Sequence, residues 1–271
     1  VPEGQVSHRN AGRFTRALAG RPVLRAWTDE PRVLPQRIPE RLAGDTVEGA
    51  EARGKHHLLR FASGRVLHSH LMMSGVWRLV PDGRPVRPGG LYLAIQVPGA
   101  TAALYRCPQV RLLEPGEPLP AAVRRLGPDL LDEHTDPGAD TAARLAATEP
   151  TRQVGDAVMD QRIVSGIGNV YKSETLFLAG VDPWRAVGSL TPPEAVRIGE
   201  IAAGLLAKGV RERGSISTYD PPGRPPGAAP SGAKWVYGRR GRPCRRCGTP
   251  IRSRGQGDAN RTTYWCPRCQ G

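Results

Sequence analysis

The sequence is poor in cysteine and in lysine, and it lacks any apolar run near the ~20 residues that span a bilayer. Five cysteines, four of them after residue 243, are too few and too clustered for the disulfide framework of a secreted domain. They suit a metal site in a reducing compartment. No charged segment followed by an apolar core opens the chain, so no secretory signal is read, and a cytoplasmic, nucleoid-associated protein is the expectation. No internal repeat is visible. Lysine occurs only as Lys55, Lys172, Lys208 and Lys234, so the basic character rests on arginine.

That basic character is strong. Lys and Arg number 39 against 25 Asp and Glu, a formal charge of +14, which favours a polyanionic partner through steering and counterion release. Arginine suits bidentate phosphate contacts, although the abundant Ala, Gly and Pro also fit a GC-rich coding sequence. Placement of the charges must therefore decide. With 271 residues the chain can build two modest domains and an appendage.

From Gly4 the apolar positions Val6, Phe14, Ala17 and Leu18 fall along one side of a helix that Gly20-Arg21-Pro22 stops. The first residues thus lie at a helix amino terminus, which favours a carboxylate or phosphate. Strand-like pieces follow at Val23 to Trp27, His57 to Phe61, Arg65 to His70, Val76 to Val80, Leu91 to Val97 and Val110 to Leu113. The spacing predicts a β-sandwich packed with the opening helix. Pro-rich sequence after Leu113 places a domain boundary near residue 120. Helices are expected over Ala139 to Ala147, Val154 to Ile163, Val170 to Ala179 and Pro193 to Leu206, and residues 220 to 232 read as a flexible or polyproline-like connector.

Four constellations carry chemistry. Cys244-x2-Cys247 and Cys266-x2-Cys269 supply four thiolates as two knuckles, the donor set of a closed structural zinc site with no open position for catalysis. Between them lie Arg252, Arg254 and Arg261. Arg261 is expected to reach a phosphate; Arg252 and Arg254 fit solvated surface equally well. The turn Gly166-Ile167-Gly168-Asn169 is expected to end one helix and start the next, presenting backbone N–H groups to an anion, with Asn169 as helix cap and Lys172 one turn further on. Lys55 stands at the mouth of a strand, as a solvated or a functional lysine. Met72 and Met73 flank a turn, as core residues or as a wedge that fills the gap left by an extruded base. His56, His57, His68 and His70 lack an acidic partner in phase, which argues against a second metal.

Taken together these residues resemble the Fpg/Nei family of DNA glycosylases. The resemblance rests on Pro2-Glu3-Gly4, Gly54-Lys55-His56, the run from His70 to Gly75, the run from Gly166 to Glu174, Val236-Tyr237-Gly238-Arg239, and the ribbon ending Arg261 to Gln270. Pro-Glu-Gly, rather than Pro-Glu-Leu, is similar to the Nei (endonuclease VIII) branch and its actinobacterial Nei2-type enzymes. The implied architecture is multidomain α+β: an N-terminal β-sandwich with an opening helix (1–120), a helical helix-two-turn-helix domain (121–219), a Pro/Gly-rich linker (220–238) and a C-terminal β-hairpin zinc ribbon (239–271). The resemblance makes Pro2 the nucleophile, Glu3 its acid/base partner, and Lys55 a contact to DNA at the damaged nucleotide. Asn169 and Arg261 become phosphate ligands, Met73 the residue entering the void, and Met72 a candidate second intercalator. One structural Zn2+, damaged DNA as partner, room for other repair proteins, no membrane and a monomeric state complete the expectation.

The implied reaction is base excision through a Pro2 Schiff base followed by β,δ-elimination. Leu91 to Pro108 lacks the Asp-Pro-Arg-Arg-Phe stretch with which Fpg enzymes face 8-oxoguanine, which favours oxidised pyrimidines over oxidised purines. Val1 conflicts with a free Pro2 nitrogen unless it is a translated GUG start, initiated as Met and removed because proline follows. The charge, the ribbon and the Asn169 turn would equally suit a non-catalytic DNA- or RNA-binding protein; only Pro2-Glu3 speaks for an enzyme.

Overall fold

The computed structural model describes residues 2–212, 214–223, 225 and 228–271, so the expected removal of Val1 falls outside the described residues. The chain divides into two compact units, Val1–Arg124 and Arg125–Gly271.

The first unit opens with helix α1 (Gly4–Leu18), stopped by Gly20 in the left-handed region at φ 73°. Nine strands follow: β1 (Arg21–Pro22), β2 (Arg25–Trp27), β3 (Thr46–Arg53), β4 (His56–Phe61), β5 (Val66–His70), β6 (Val76–Pro81), β7 (Leu91–Val97), β8 (Ala100–Tyr105) and β9 (Gln109–Leu113), with the short helix α2 (Ile38–Leu42) between β2 and β3. They form a five-stranded sheet, β1-β3-β4-β5-β9, and a four-stranded sheet, β2-β7-β8-β6. The core joins both sheets with α1 and α2, through Phe14, Leu18, Ile38, Leu42, Leu59, Phe61, Leu93, Ile95 and Leu104. Phe14 meets Trp77 edge to face at 5.2 Å, a pair that holds α1 in place beyond its buried area.

Two details differ from the sequence-based expectation. The strand expected from Val23 to Trp27 is shortened to Arg25–Trp27, because the chain leaves one sheet after Pro22 and enters the other only at Arg25, turning a corner of the sandwich. Strands β3 and β8 were not expected. β3 carries two glutamates and a glycine, and β8 is a run of Ala, Thr and Leu buried on both faces, so neither shows an alternating pattern.

The first unit ends with the one-turn helix α3 (Ala121–Arg124); the second comprises helices α4 (Pro137–Ala146), α5 (Val154–Ala157), α6 (Asn169–Ala179) and α7 (Pro192–Arg211), then the hairpin β10 (Arg252–Gln256) and β11 (Arg261–Trp265). Asp136 caps α4 by accepting from the N–H groups of Gly138 and Ala139, and Glu194 accepts from the N–H and hydroxyl of Thr191 at the start of α7. At Gly199 a Cβ would sit 1.9 Å from the carbonyl oxygen of Pro137, so the closeness of α4 and α7 requires glycine there.

The helix expected over Val154 to Ile163 is a single turn. Asp160 accepts from the backbone N–H and the guanidinium of Arg162, and from Arg152, turning the chain out of helical geometry. The same hydrogen bonds, Arg162 foremost, hold the Asp160 carboxyl well below the usual carboxylate range.

Candidate active site and nucleic-acid interface

In the first unit, Glu3 occupies the N-cap position of α1 and is only 1% exposed, with Pro2 half-buried beside it. Its side chain does not cap the helix. A carboxylate buried at a helix amino terminus faces the positive end of the macrodipole, a setting that tolerates negative charge. Lys55 sits in the two-residue turn between β3 and β4, where Arg53 pairs with His56 and Gly54 adopts φ 56°, and its side chain is half-buried.

The loop after β5 presents Met72 and Met73, 40% and 56% exposed, among four large apolar side chains of the described residues that stand in solvent. The core reading of the two methionines is therefore excluded. Their loop is held from within: Met72, left-handed at φ 51°, donates its N–H to His70 Nδ1 at 3.2 Å, and the Gly75 N–H reaches the Leu71 carbonyl at 2.7 Å. A Cβ at Gly75 would lie 2.5 Å from that carbonyl oxygen, so only glycine closes the loop.

The four histidines expected not to bind metal lie together, His56, His57 and His68 buried and His70 half-buried. His56 Nδ1 and His68 Nε2 share a hydrogen bond at 2.9 Å, His70 lies 4.6 Å from the His56 ring, and His57 Nε2 accepts from Asn10 Nδ2 at 3.4 Å. Burial, and then the mutual repulsion of the rings, lower His56 and His57 to about 3 and His68 to about 4. His70 is lowered by burial and by Lys55.

In the second unit, the sequence-predicted phosphate ligands Asn169 and Arg261 are brought together. Asn169 is the first residue of α6, and its Nδ2 donates to the carbonyl of Thr262, next to the exposed Arg261, at 2.8 Å. Asn169 does not cap the helix; Gly168 holds the N-cap position and no side chain caps it. Its Oδ1 is buried with no protein partner. The preceding turn is shaped by Gln161, whose side chain donates to the carbonyls of Met159 and Ile167 and accepts from Gly166 N–H.

Lys172 departs from expectation. Rather than facing a phosphate, it is buried to 1% exposure and donates to Thr263 Oγ1 at 2.6 Å. Arg254, too, is not merely solvated: its guanidinium stacks 3.8 Å over Trp184, which packs edge-on against Trp265.

The ribbon closes as the spacing predicts. The sulfurs of Cys244, Cys247, Cys266 and Cys269 all lie within 4.8 Å of one another, with Cys247 to Cys266 at 3.4 Å and Cys244 to Cys269 at 4.0 Å. Tetrahedral zinc with Zn–S bonds of ~2.3 Å fits such a cage, and four thiolates make the site structural. Among the described residues no other group of His, Cys, Asp or Glu converges in this way. Glu174, quoted in the sequence motif without a role, supplies the ribbon's mooring: its buried carboxylate accepts the N–H groups of Trp235, Val236 and Tyr237 at 2.8, 2.9 and 2.8 Å, and the hydroxyl of Thr218.

This geometry has close counterparts. Residues 2–108 match the formamidopyrimidine-DNA glycosylase N-terminal domain, 126–220 its H2TH domain, and 241–271 the zinc finger found in FPG and IleRS. A probable endonuclease 8 2 of Streptomyces coelicolor is 40% identical over the whole chain and 94% of its own length. The chain belongs to the Fpg/Nei family. As a member it is a bifunctional DNA glycosylase and abasic-site lyase acting on oxidised bases. A DNA-(apurinic or apyrimidinic site) lyase Nei2 of Mycolicibacterium smegmatis is 35% identical, covering all of this chain and 99% of that one. Among solved structures, MutM (Fpg) of Thermus thermophilus superposes with a TM-score of 0.78 at 30% identity, over 100% of this chain and 99% of that one. The Fpg/Nei assignment accounts for the ribbon as a zinc finger and for the helices as the H2TH domain.

Proposed function

We propose that this Fpg/Nei enzyme excises oxidised pyrimidines, using Pro2 as nucleophile and Glu3 as proton carrier. A terminal secondary amine, with a reference pKa of about 8, keeps a neutral fraction near pH 7 and can attack C1′ of the sugar. The N–C1′ bond forms as the base leaves, and the adduct opens to an iminium. The iminium acidifies the 2′ proton. Loss of that proton expels the 3′ phosphate, and a second elimination expels the 5′ phosphate. Glu3, adjacent along the chain and held at the α1 terminus, is suited to protonate the ring oxygen and then to shuttle protons. Lys55 is assigned to the damaged nucleotide, Asn169 and Arg261 to the flanking phosphates, and Met73, with Met72 beside it, to the space left by the extruded base.

The pyrimidine preference is supported by one feature above all. Strands β8 and β9 are joined by residues 106–108 alone, Arg106-Cys107-Pro108, with Arg106 at φ 47° and the Cys107 sulfur turned inward to the carbonyls of His70 and Gln109. So short a connection carries no Arg-Phe pair to stand opposite a purine lesion. A second reading, excision of oxidised purines, is supported by the likeness to Thermus thermophilus MutM and to the formamidopyrimidine-DNA glycosylase of Gloeobacter violaceus, 34% identical over 80% of this chain.

A cleavage panel separates the two. Thymine glycol, dihydrouracil, 5-hydroxyuracil, 8-oxoguanine, uracil and abasic duplexes are given to zinc-loaded enzyme whose amino terminus is established as Pro2 by mass spectrometry. The expected order is oxidised pyrimidines before 8-oxoguanine, with a borohydride-trapped adduct on abasic DNA. Preferred cleavage of 8-oxoguanine selects the second reading, and a trapped adduct from protein retaining Val1 defeats the Pro2 assignment.

A further inference from the structure

The role left open by the burial of Lys172 has a structural answer. Three consecutive residues of β11 are each bonded to the first turn and a half of α6. Thr262 accepts from Asn169 Nδ2 at 2.8 Å, Thr263 Oγ1 accepts from Lys172 Nζ at 2.6 Å, and the Tyr264 N–H donates to Ser173 Oγ at 3.3 Å. The middle contact continues inward. The Thr263 hydroxyl donates to Gln256 Oε1 at 2.7 Å, and Gln256 Nε2 donates to Gln153 Oε1 at 3.0 Å and to the Pro183 carbonyl at 2.8 Å.

The three central members of this chain are shielded. Lys172 is 1% exposed, Thr263 is fully buried and Gln256 is 5% exposed. Gly155 makes room for it, since a Cβ there would lie 2.3 Å from Gln256 Oε1. Gln256 is also the cross-strand partner of Arg261. The hairpin is thus pinned from below at the residue opposite Arg261, and from the side at the three residues after it.

A single slipped register would turn Arg261 to the other face of the hairpin. A buried ammonium with directed partners is costly to misplace, so it opposes such a slip more sharply than an apolar contact of the same size. We infer that Lys172, Thr263 and Gln256 are positioning residues for a phosphate clamp formed by Asn169 and Arg261, fixing the hairpin's register against α6. This rests on the phosphate-ligand reading of Asn169 and Arg261.

The test uses the full, zinc-loaded chain and a duplex bearing a tetrahydrofuran abasic-site analogue, titrated at several salt concentrations. Lys172→Met keeps length and apolar bulk but removes the donor, and Thr263→Val removes only the hydroxyl. Circular dichroism establishes that each is folded at the assay temperature. Either variant is expected to weaken binding about tenfold, the scale of one lost charge-assisted hydrogen bond. The slope of log K on log salt should also fall by about one, as if one phosphate contact were gone. On an Asn169→Ala background the Lys172→Met loss should shrink, because the two act through one clamp.

Folded variants with unchanged affinity and salt slope would overturn the inference while Asn169→Ala and Arg261→Ala still weaken binding. If those two bind normally, the clamp itself is wrong, and the positioning role falls with it. Should Lys172→Met fail to fold, Thr263→Val alone decides between the same outcomes, since it conserves shape.

Discussion

At the residue scale the wedge makes the sharpest division between steps. Met73 stands exposed on a loop closed by His70 and Gly75, so truncating it removes apolar reach without disturbing the core. Extruding a base costs a few kcal/mol, and a filler of the vacated space offsets part of that. A pre-formed abasic site has no base to extrude. Met73→Ala is therefore expected to slow excision from a thymine glycol duplex at least tenfold, on the order of 1.4 kcal/mol, and to leave abasic-strand cleavage within about twofold. Single-turnover rates on both substrates check this, and equal losses would remove Met73 from the role. Most of the candidate site's residues stand out in sequence because local motifs carry them: Pro2-Glu3, Lys55 in its glycine turn, and the paired cysteines, which do converge. Lys172 was misread for a reason sequence cannot supply. A lysine one turn into a helix looks like a phosphate ligand until Thr263, far along the chain, is seen to bury it. Glu174 and Gln256 escaped notice for the same reason, since their partners are backbone groups and amides brought together only by folding.

Among elements, β4 and β5 show how a buried polar strand pair couples stability to pH. His56, His57 and His68 project from these strands, hemmed in by His70, Lys55, Arg111 and His8. Each is held neutral, with its folded value at about 3, 3 and 4 respectively, below the ordinary histidine value of about 6.5. The unfolded chain thus binds more protons between about pH 6.5 and pH 3, and stability is full above pH 6.5 and falls as pH drops through that window. Each histidine contributes a slope of at most about 1.4 kcal/mol per pH unit, and mutual repulsion is shared among them. Urea unfolding of the β-sandwich is expected to be at least about 2 kcal/mol weaker at pH 5 than at pH 7.5, and His68→Leu should flatten the dependence. A pH-independent midpoint would mean that the cluster charges without opening. The elements themselves were readable where periodicity was clean, as in α1, β4, β7 and α7. Where it was not, β8, buried on both faces, was missed, and α5 was overextended, since it is ended by the side chain of Asp160 rather than by glycine or proline.

For the whole molecule, the decisive fact is that its two units are stabilised by different means. The first has a sandwich core drawn from both sheets and two helices. The second combines a helical core with a small cluster, Phe177, Val236, Cys244, Ile251 and Cys266, that is largely the zinc ribbon itself. So few apolar residues cannot hold a hairpin of arginine and threonine; four thiolates on a metal can, and structural zinc supplies about 10 kcal/mol or more of folding free energy in comparable small sites. Removing zinc with a strong chelator, or replacing Cys247 with serine, is therefore expected to release the hairpin. With it go the register of Arg261 and the bond from Asn169 to Thr262. Hydrogen exchange followed by mass spectrometry should show faster exchange over β10, β11 and the segment 235–237 moored by Glu174, with α1 and β3 to β9 unchanged. Affinity for abasic-analogue duplex should fall at least a hundredfold, about 2.7 kcal/mol, through lost phosphate contacts. Chelation that leaves the hairpin protected would show that Glu174, Lys172 and Gln256 suffice to hold the ribbon without its metal.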